Sequence, residues 1–406
     1  NSYSLSGQVF NLVTADGGTT WYGYEEVKNT IKQPSTLWAW GQNDGTYGIN
    51  GQLGLNNTTS YSSPVQIPGT NWATIGSHTY YSNSAGAVKT DGTLWMWGYG
   101  DLSGVLGQNQ ANTVSSPIQV PGTTWANVAT SSGVPAIPAK PSAMGVKTDG
   151  TLWAWGSNES GRLGQNNQTY YSSPTQIPGT TWATGTHQLS VGGYGSAAAI
   201  KTDGTLWVWG YNDKGTLGQN NNTLYSSPVQ IPGTTWRSVL CSNAALSGTK
   251  TDGSLWVWGN NMAGMLGQNV PDNNHLSSPV QISGSWKIGS GMTGFRDAGG
   301  VKTDGTAWSW GYGTDGIHGL NQPAIKRSSP TQIPGTNWSQ LVINSYYAQG
   351  LKTDGTLWSW GYNWKGCLGL NQQGNKISSP TQIPGTDWTA LPTKVGPYKS
   401  FALRRA

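Results

Sequence analysis

The sequence carries little charge. Only 10% of its 406 residues are charged, and the 22 cations and 17 anions are spread thinly along the chain. The net charge of +5 includes no run of cations longer than a pair such as Arg404-Arg405, which argues against the clustered cationic face that nucleic-acid binding needs. There are three Phe and two Cys, and Cys241 and Cys367 fall in different repeat units, so no disulfide framework is expected. No run of 18 apolar residues occurs, which excludes a membrane-spanning helix. Gly or Pro interrupts nearly every ten-residue window, which excludes long amphipathic helices. The chain opens on Asn with no signal peptide, and reads as a processed chain or a portion of a longer one. What it holds in quantity is turn formers and indoles: 59 Gly, 21 Pro and 23 Trp, with 18 Tyr besides. Aromatic residues at this density exclude disorder, and the composition is that of an all-β protein.

A repeat organises the chain. Leu-Trp-x-Trp-Gly or a near copy occurs seven times, with first tryptophans Trp38, Trp95, Trp153, Trp207, Trp256, Trp308 and Trp358. Each copy is followed by Gly-x-Leu-Gly or a variant, then by Ser-Ser-Pro-x-Gln, and is closed by a third Trp, from Trp72 to Trp388. Six copies are preceded by Lys-Thr-Asp-Gly, beginning at Lys89, Lys147, Lys201, Lys250, Lys302 and Lys352. Asp-Gly between alternating apolar runs is a strong hairpin signal. The strand after it places both Trp on one face, with Leu and a small residue on the other, so it must be covered on both sides. Seven units of roughly 50 residues, each of three to four short strands, describe propeller blades around an axis. The last unit stops at Ser400-Phe401-Ala402-Leu403-Arg404, where a turn is due, and the first opens at Thr36-Leu37-Trp38 without one. The C-terminal strand is therefore expected to close the ring. Thr30-Ile31-Lys32 resembles the same strand and competes for the slot. Our division is an N-terminal arm, 1–33, and a seven-bladed β-propeller, 34–406.

Leu-Trp-x-Trp-Gly, Gly-x-Leu-Gly, Ser-Ser-Pro and the Asp-Gly hairpin together resemble the repeats of the regulator of chromosome condensation family, over residues 34–404. That resemblance implies a seven-bladed propeller. It implies no single function, because members range from a nucleotide exchange factor to a photoreceptor and an enzyme inhibitor. The Trp-rich, low-charge version here is most similar to bacterial and phage members.

The chemistry-bearing residues offer no catalytic set. His78, His187, His275 and His318 occupy non-equivalent positions, and no zinc-spaced cluster, P-loop, nucleophile elbow or dinucleotide fingerprint occurs. His318 is unusual in replacing the Leu of Gly-x-Leu-Gly. Neither an enzyme nor a cofactor or metal site is expected. Binding would be built where the repeats differ. The candidates are Trp21, Tyr22 and Tyr24 in the arm, Tyr47 in the longer loop 42–50, Pro135 and Pro138 in the insertion 126–144, and the extra Trp364. The reading is a non-enzymatic structural or adhesive module of a phage virion or cell surface. Its expected partners are other structural or surface proteins, met through the arm or one face, or a host-surface glycan. Nucleic acid and membrane insertion are not expected. The alternatives are a soluble binding module, either an inhibitor or a carbohydrate-binding adhesin, and an intracellular regulator of a GTPase or of chromatin.

Overall fold

Each Lys-Thr-Asp-Gly segment closes a hairpin through its own side chains. In Lys201-Thr-Asp-Gly-Thr205, Asp203 Oδ1 accepts from Thr205 N at 2.9 Å and from Thr205 Oγ1 at 2.7 Å. Gly204 follows at φ +77°, and a Cβ on it would lie 2.1 Å from Thr234 O, so only glycine fits there. Thr205 Oγ1 then accepts from the Trp207 indole at 2.9 Å, and the Lys201 ammonium lies 4.3 Å from that ring and 5.1 Å from Trp182. The same relay recurs at Lys89, Lys147, Lys250, Lys302 and Lys352.

The computed structural model describes residues 35–44, 51–78, 83–100, 103–110, 112–131, 140–322, 324–396 and 398–406, together with the backbone of 2–5, 8–14 and 21–23. The chain divides into two units, Asn1–Gln33 and Pro34–Ala406. The first holds a three-stranded antiparallel sheet of Ser2–Leu5, Gln8–Thr14 and Trp21–Gly23.

The second is a seven-bladed β-propeller of antiparallel blades. Blade 1 is Trp388–Ala390, Lys399–Arg405, Ser35–Gly41 and Tyr61–Gln66, in spatial order. Blade 2 runs from Trp72–Ile75 to Val114–Val120, blade 3 from Trp125–Thr130 to Tyr171–Ile177, and blade 4 from Leu189–Val191 to Tyr225–Ile231. Blade 5 runs from Trp236–Cys241 to Leu276–Ile282, and blade 7 from Trp338–Ile343 to Lys376–Ile383. Blade 6 is Asp297–Val301, Ala307–Gly311 and Arg327–Ile333, with isolated bridges at Trp286 and Gly291 in place of a fourth strand. Lys399–Arg405 pairs with Ser35–Gly41 along its whole length, from Lys399 opposite Gly41 to Arg405 opposite Ser35. Thr30-Ile31-Lys32 lies outside the described residues.

The core is not one mass but seven, one between each pair of neighbouring blades. Leu152 and Ala154 of blade 3 pack against Trp182 and Trp209 of blade 4, and the other six clusters repeat the scheme. The second Trp of every Leu-Trp-x-Trp-Gly also reaches back to the preceding blade and donates to a backbone carbonyl in its Gly-x-Leu-Gly loop. Trp97, Trp155, Trp209, Trp258, Trp310 and Trp360 donate to Gln52, Val105, Arg162, Thr216, Met265 and Ile317 at 2.7–3.2 Å. Trp40 of blade 1 completes the circle at Cys367 O of blade 7, at 2.9 Å. The axis is plugged: Lys394, on the loop after Trp388–Ala390 of blade 1, donates to Val191 O of blade 4 at 2.9 Å and to Cys241 O of blade 5.

Candidate functional site

The hairpin between the second and third strands turns at one end of six blades, and in blade 1 the unjoined ends of Lys399–Arg405 and Ser35–Gly41 meet there. The residues just before the second strand and just after the third therefore share the opposite face. On that face the pairing register aligns one position across all seven blades: Ser84, Ser142, Ser196, Ala245, Asp297, Tyr347 and Lys399 each sit opposite the Gly that ends the third strand. The residues before them are Asn83, Pro141, Gly195, Ala244, Arg296, Tyr346 and Tyr398. Blades 2 to 5 thus carry small or uncharged pairs. Consecutive blades 6, 7 and 1 carry Arg-Asp, Tyr-Tyr and Tyr-Lys.

Above these pairs lies a band of aromatic side chains. Tyr346 stacks on Tyr398, with centroids 5.0 Å apart and planes at 21°. Trp364 reaches Tyr398 at 6.4 Å and Tyr362 at 6.0 Å. The Arg296 guanidinium lies 5.0 Å from the Phe295 ring and 5.4 Å from Tyr312. Trp364 is 36% exposed and Tyr312 41%, although most large apolar side chains of the ring are covered. An open cavity of about 360 Å³ is sunk among Phe295, Arg296, Asp297, Tyr312 and Tyr346.

Beneath the band, burial controls the charge. Asp297 is pushed up to about 7 by burial, against the Gly313 N–H that its Oδ1 accepts at 2.8 Å. Lys399 is pulled down to about 7 by burial, its ammonium reaching Ser84 O at 3.4 Å. Tyr347 donates to Lys399 O at 2.5 Å and accepts from Ser400 Oγ at 2.8 Å. Blade 6 is rebuilt locally. Gly313 stands where Asn43, Asn158, Asn212, Asn261 and Asn363 accept the Leu N–H of Gly-x-Leu-Gly. His318 fills the vacated space, since a Cβ on Gly313 would lie 2.5 Å from its ring. Burial and nearby Arg327 hold His318 down at about 4, so it stays neutral and structural. Burial also raises the Cys241 thiol to about 11 and the Cys367 thiol further, and both are unbridged.

The Asp297 environment gives a signed expectation. Its folded value exceeds the ordinary 3.8, so the native state holds its proton more tightly than the unfolded chain. Stability is then lost as pH rises from about 4 to 7, by roughly 2–4 kcal/mol once the shift is complete. Asp297→Asn keeps the acceptor and removes the penalty. Melting curves of the two proteins should coincide near pH 4 and separate in favour of the variant above pH 7; parallel curves would mean that Asp297 stays ionised.

Of the residues singled out from sequence, Trp364 belongs to this band. Trp21 and Tyr22 lie on the strand Trp21–Gly23 of the first unit, and Tyr24, Tyr47, Pro135 and Pro138 fall outside the described residues. Sequence reading missed Arg296, Tyr346 and Tyr398, although a signal existed. They stand six residues before Lys302, Lys352 and Arg404, where the other units have Asn, Pro, Gly and Ala. Tyr312 and Tyr362 directly follow Trp-Gly, but so do Tyr99 and Tyr211 in blades 2 and 4, so that position carries no signal.

The regulator of chromosome condensation (RCC1) repeat profile matches residues 149–199, 203–244 and 354–393. Over those three stretches the chain matches the RCC1 repeat. The ultraviolet-B receptor UVR8 of Arabidopsis thaliana is 28% identical over 193 residues, 48% of this chain and 41% of that protein. The mitochondrial RCC1 domain-containing protein RUG3 of the same plant is 28% identical over 165 residues, 39% of this chain and 34% of its own. The matches thus span less than half of either relative. Among solved structures, yeast RCC1 (Prp20), determined bound to Kap60, shares the fold with a TM-score of 0.71 at 17% identity, over 92% of this chain and 89% of that one.

These relatives overturn the expected virion or extracellular location, since they are intracellular eukaryotic proteins and RUG3 is mitochondrial by name. The low charge and polar turns that suggested display outside a cell have a local cause. The Asp, Thr and Asn side chains are consumed by hairpin and loop hydrogen bonds of the fold.

Proposed function

We propose that this chain is a non-enzymatic binding module of the intracellular regulator class, and that its protein partner docks on the loop face over blades 6, 7 and 1. The observation that carries the reading is the break in the repeat. Three consecutive blades carry Arg296, Tyr346 and Tyr398 where the other four have Asn, Pro, Gly and Ala, and the surrounding rings stay partly exposed. Tyr, Trp and Arg are the side chains that dominate binding energy at protein interfaces. The Lys-Thr-Asp-Gly face offers less, because each Asp is bonded within its turn and each Lys covers two indoles. Yeast Prp20, which shares this fold, binds Gsp1p and histones, which supports a regulator of a GTPase or of chromatin over a structural module.

A photo-cross-linking residue placed at Trp364 or Tyr312 in cells producing the protein should capture one discrete protein, identified by mass spectrometry. The same residue at Thr148 or Thr251, exposed on the turn face, should capture none. Equal capture from both faces, or none from the loop face, overturns the assignment.

A further inference from the structure

The geometry points to the chemistry of the partner: we propose that the Arg296 cleft receives a side-chain carboxylate from an acidic peptide segment of the docking protein. This inference rests on the docking reading above.

Among the described residues Arg296 forms no ion pair, although its charge draws the neighbouring Asp297 carboxyl downward against burial. The guanidinium lies over the Phe295 and Tyr312 rings, in cation–π contacts that hold it at the cleft. Its Nε is buried and has no hydrogen-bond partner, and the guanidinium enters no ion pair among the described residues. A buried guanidinium N–H without an acceptor is costly, and a carboxylate is the group whose two oxygens match the fork.

The neighbouring acids do not compete. Asp315 is bound to Lys376 at 2.6 Å. Asp297 directs its Oδ1 to Gly313 N, and burial favours its protonated form. Elsewhere on this face, Asp44 pairs with Lys365 at 2.7 Å and Asp213 with Lys214 at 3.2 Å. The cleft has room for a side chain with its flanking backbone, and its aromatic walls would cover the apolar stem of a Glu. The excess of cations over anions in the whole chain, 22 against 17, would attract such a segment from a distance.

The structural alternative is that Arg296 serves only to pack Phe295 and Tyr312 together. Binding separates the two. The probe is a blocked dodecapeptide of Glu, Asp and Leu, titrated by calorimetry into the full chain, with its Gln/Asn counterpart as the control. The acidic peptide should bind, and the control should bind about tenfold more weakly or not at all. Arg296→Gln should lose the preference by a similar factor, Tyr312→Ala should weaken binding severalfold, and Arg296→Lys should recover part of it. Each variant should keep the wild-type melting curve to within a few degrees, and binding should fall as salt rises. Equal binding of the two peptides, or an Arg296→Gln protein that binds like wild type, overturns the proposal. If the peptides fail while cross-linking from Trp364 succeeds, the docking face stands and only the carboxylate is wrong. If both fail, the face itself is wrong.

Discussion

A stop after Tyr398 should abolish cooperative unfolding of the ring, or lower its melting temperature by well over ten degrees. The eight residues removed include the strand Lys399–Arg405, which pairs on one side with Ser35–Gly41 and on the other with Trp388–Ala390. Phe401, Ala402 and Leu403 of this strand are buried, in the clusters on either side of blade 1. Burial of Phe and Leu alone is worth about 4–5 kcal/mol, before the lost ladder of backbone bonds is counted. The damage extends beyond one blade, because Ser35–Gly41 is left with an unpaired edge and the Trp388–Ala390 strand loses its neighbour. Far-ultraviolet circular dichroism followed with temperature would show this directly. An unchanged curve would mean that another segment of the chain fills the slot.

Trp258→Ala should cost about 3–5 kcal/mol. Its side chain is fully buried in the cluster between blades 4 and 5, against Leu217, Ile231 and Trp236. Trp258→Phe keeps much of the aromatic volume but leaves Thr216 O buried without its donor, which adds about 1–3 kcal/mol of its own. Trp256→Phe, two residues earlier, should cost under about 1 kcal/mol, because its indole bonds Ser254 Oγ at the half-exposed rim. Urea unfolding of the three variants tests the order. If Trp256→Phe proves as damaging as Trp258→Phe, the blade-to-blade hydrogen bond is not what distinguishes the two tryptophans. The loop that receives Trp258 has no slack. Gly218 adopts φ +65°, and a Cβ there would lie 2.9 Å from the indole nitrogen.

The fold was legible because each conserved word of the repeat stands for a physical contact made within the unit or with its neighbour. Asp-Gly-Thr is the turn, Leu-Trp-x-Trp is a strand covered on both sides, and the final Gly admits the start of the neighbouring strand. The His318 anomaly was visible in sequence, but its cause was not. The His318 ring packs against Gly313, whereas in blade 2 Gly100 holds the same position beside an ordinary Leu106. The candidate site was hard to read for the opposite reason. Arg296, Tyr346 and Tyr398 are about fifty residues apart in sequence, and each looks like ordinary loop variation. They become one surface only when the register brings the same position of three successive blades together. A lone additional Trp, such as Trp364, announces itself by breaking a count. A Tyr in place of a Gly does not.

The seam in blade 1 has a further consequence. Arg404 pairs with Thr36 as Lys89 faces Thr93 in the hairpin of blade 2. Ala406 and Ser35 therefore stand where the other six blades have Asp and Gly. The start of Ser35–Gly41 and the end of Lys399–Arg405 are the two halves of a seventh turn that no Asp-Gly joins. The order in which the blades are strung is then incidental to the ring. A permuted ring of residues 35–405, spliced by Asp-Gly across this gap and opened at any other turn, would wind into the same seven blades with its ends relocated.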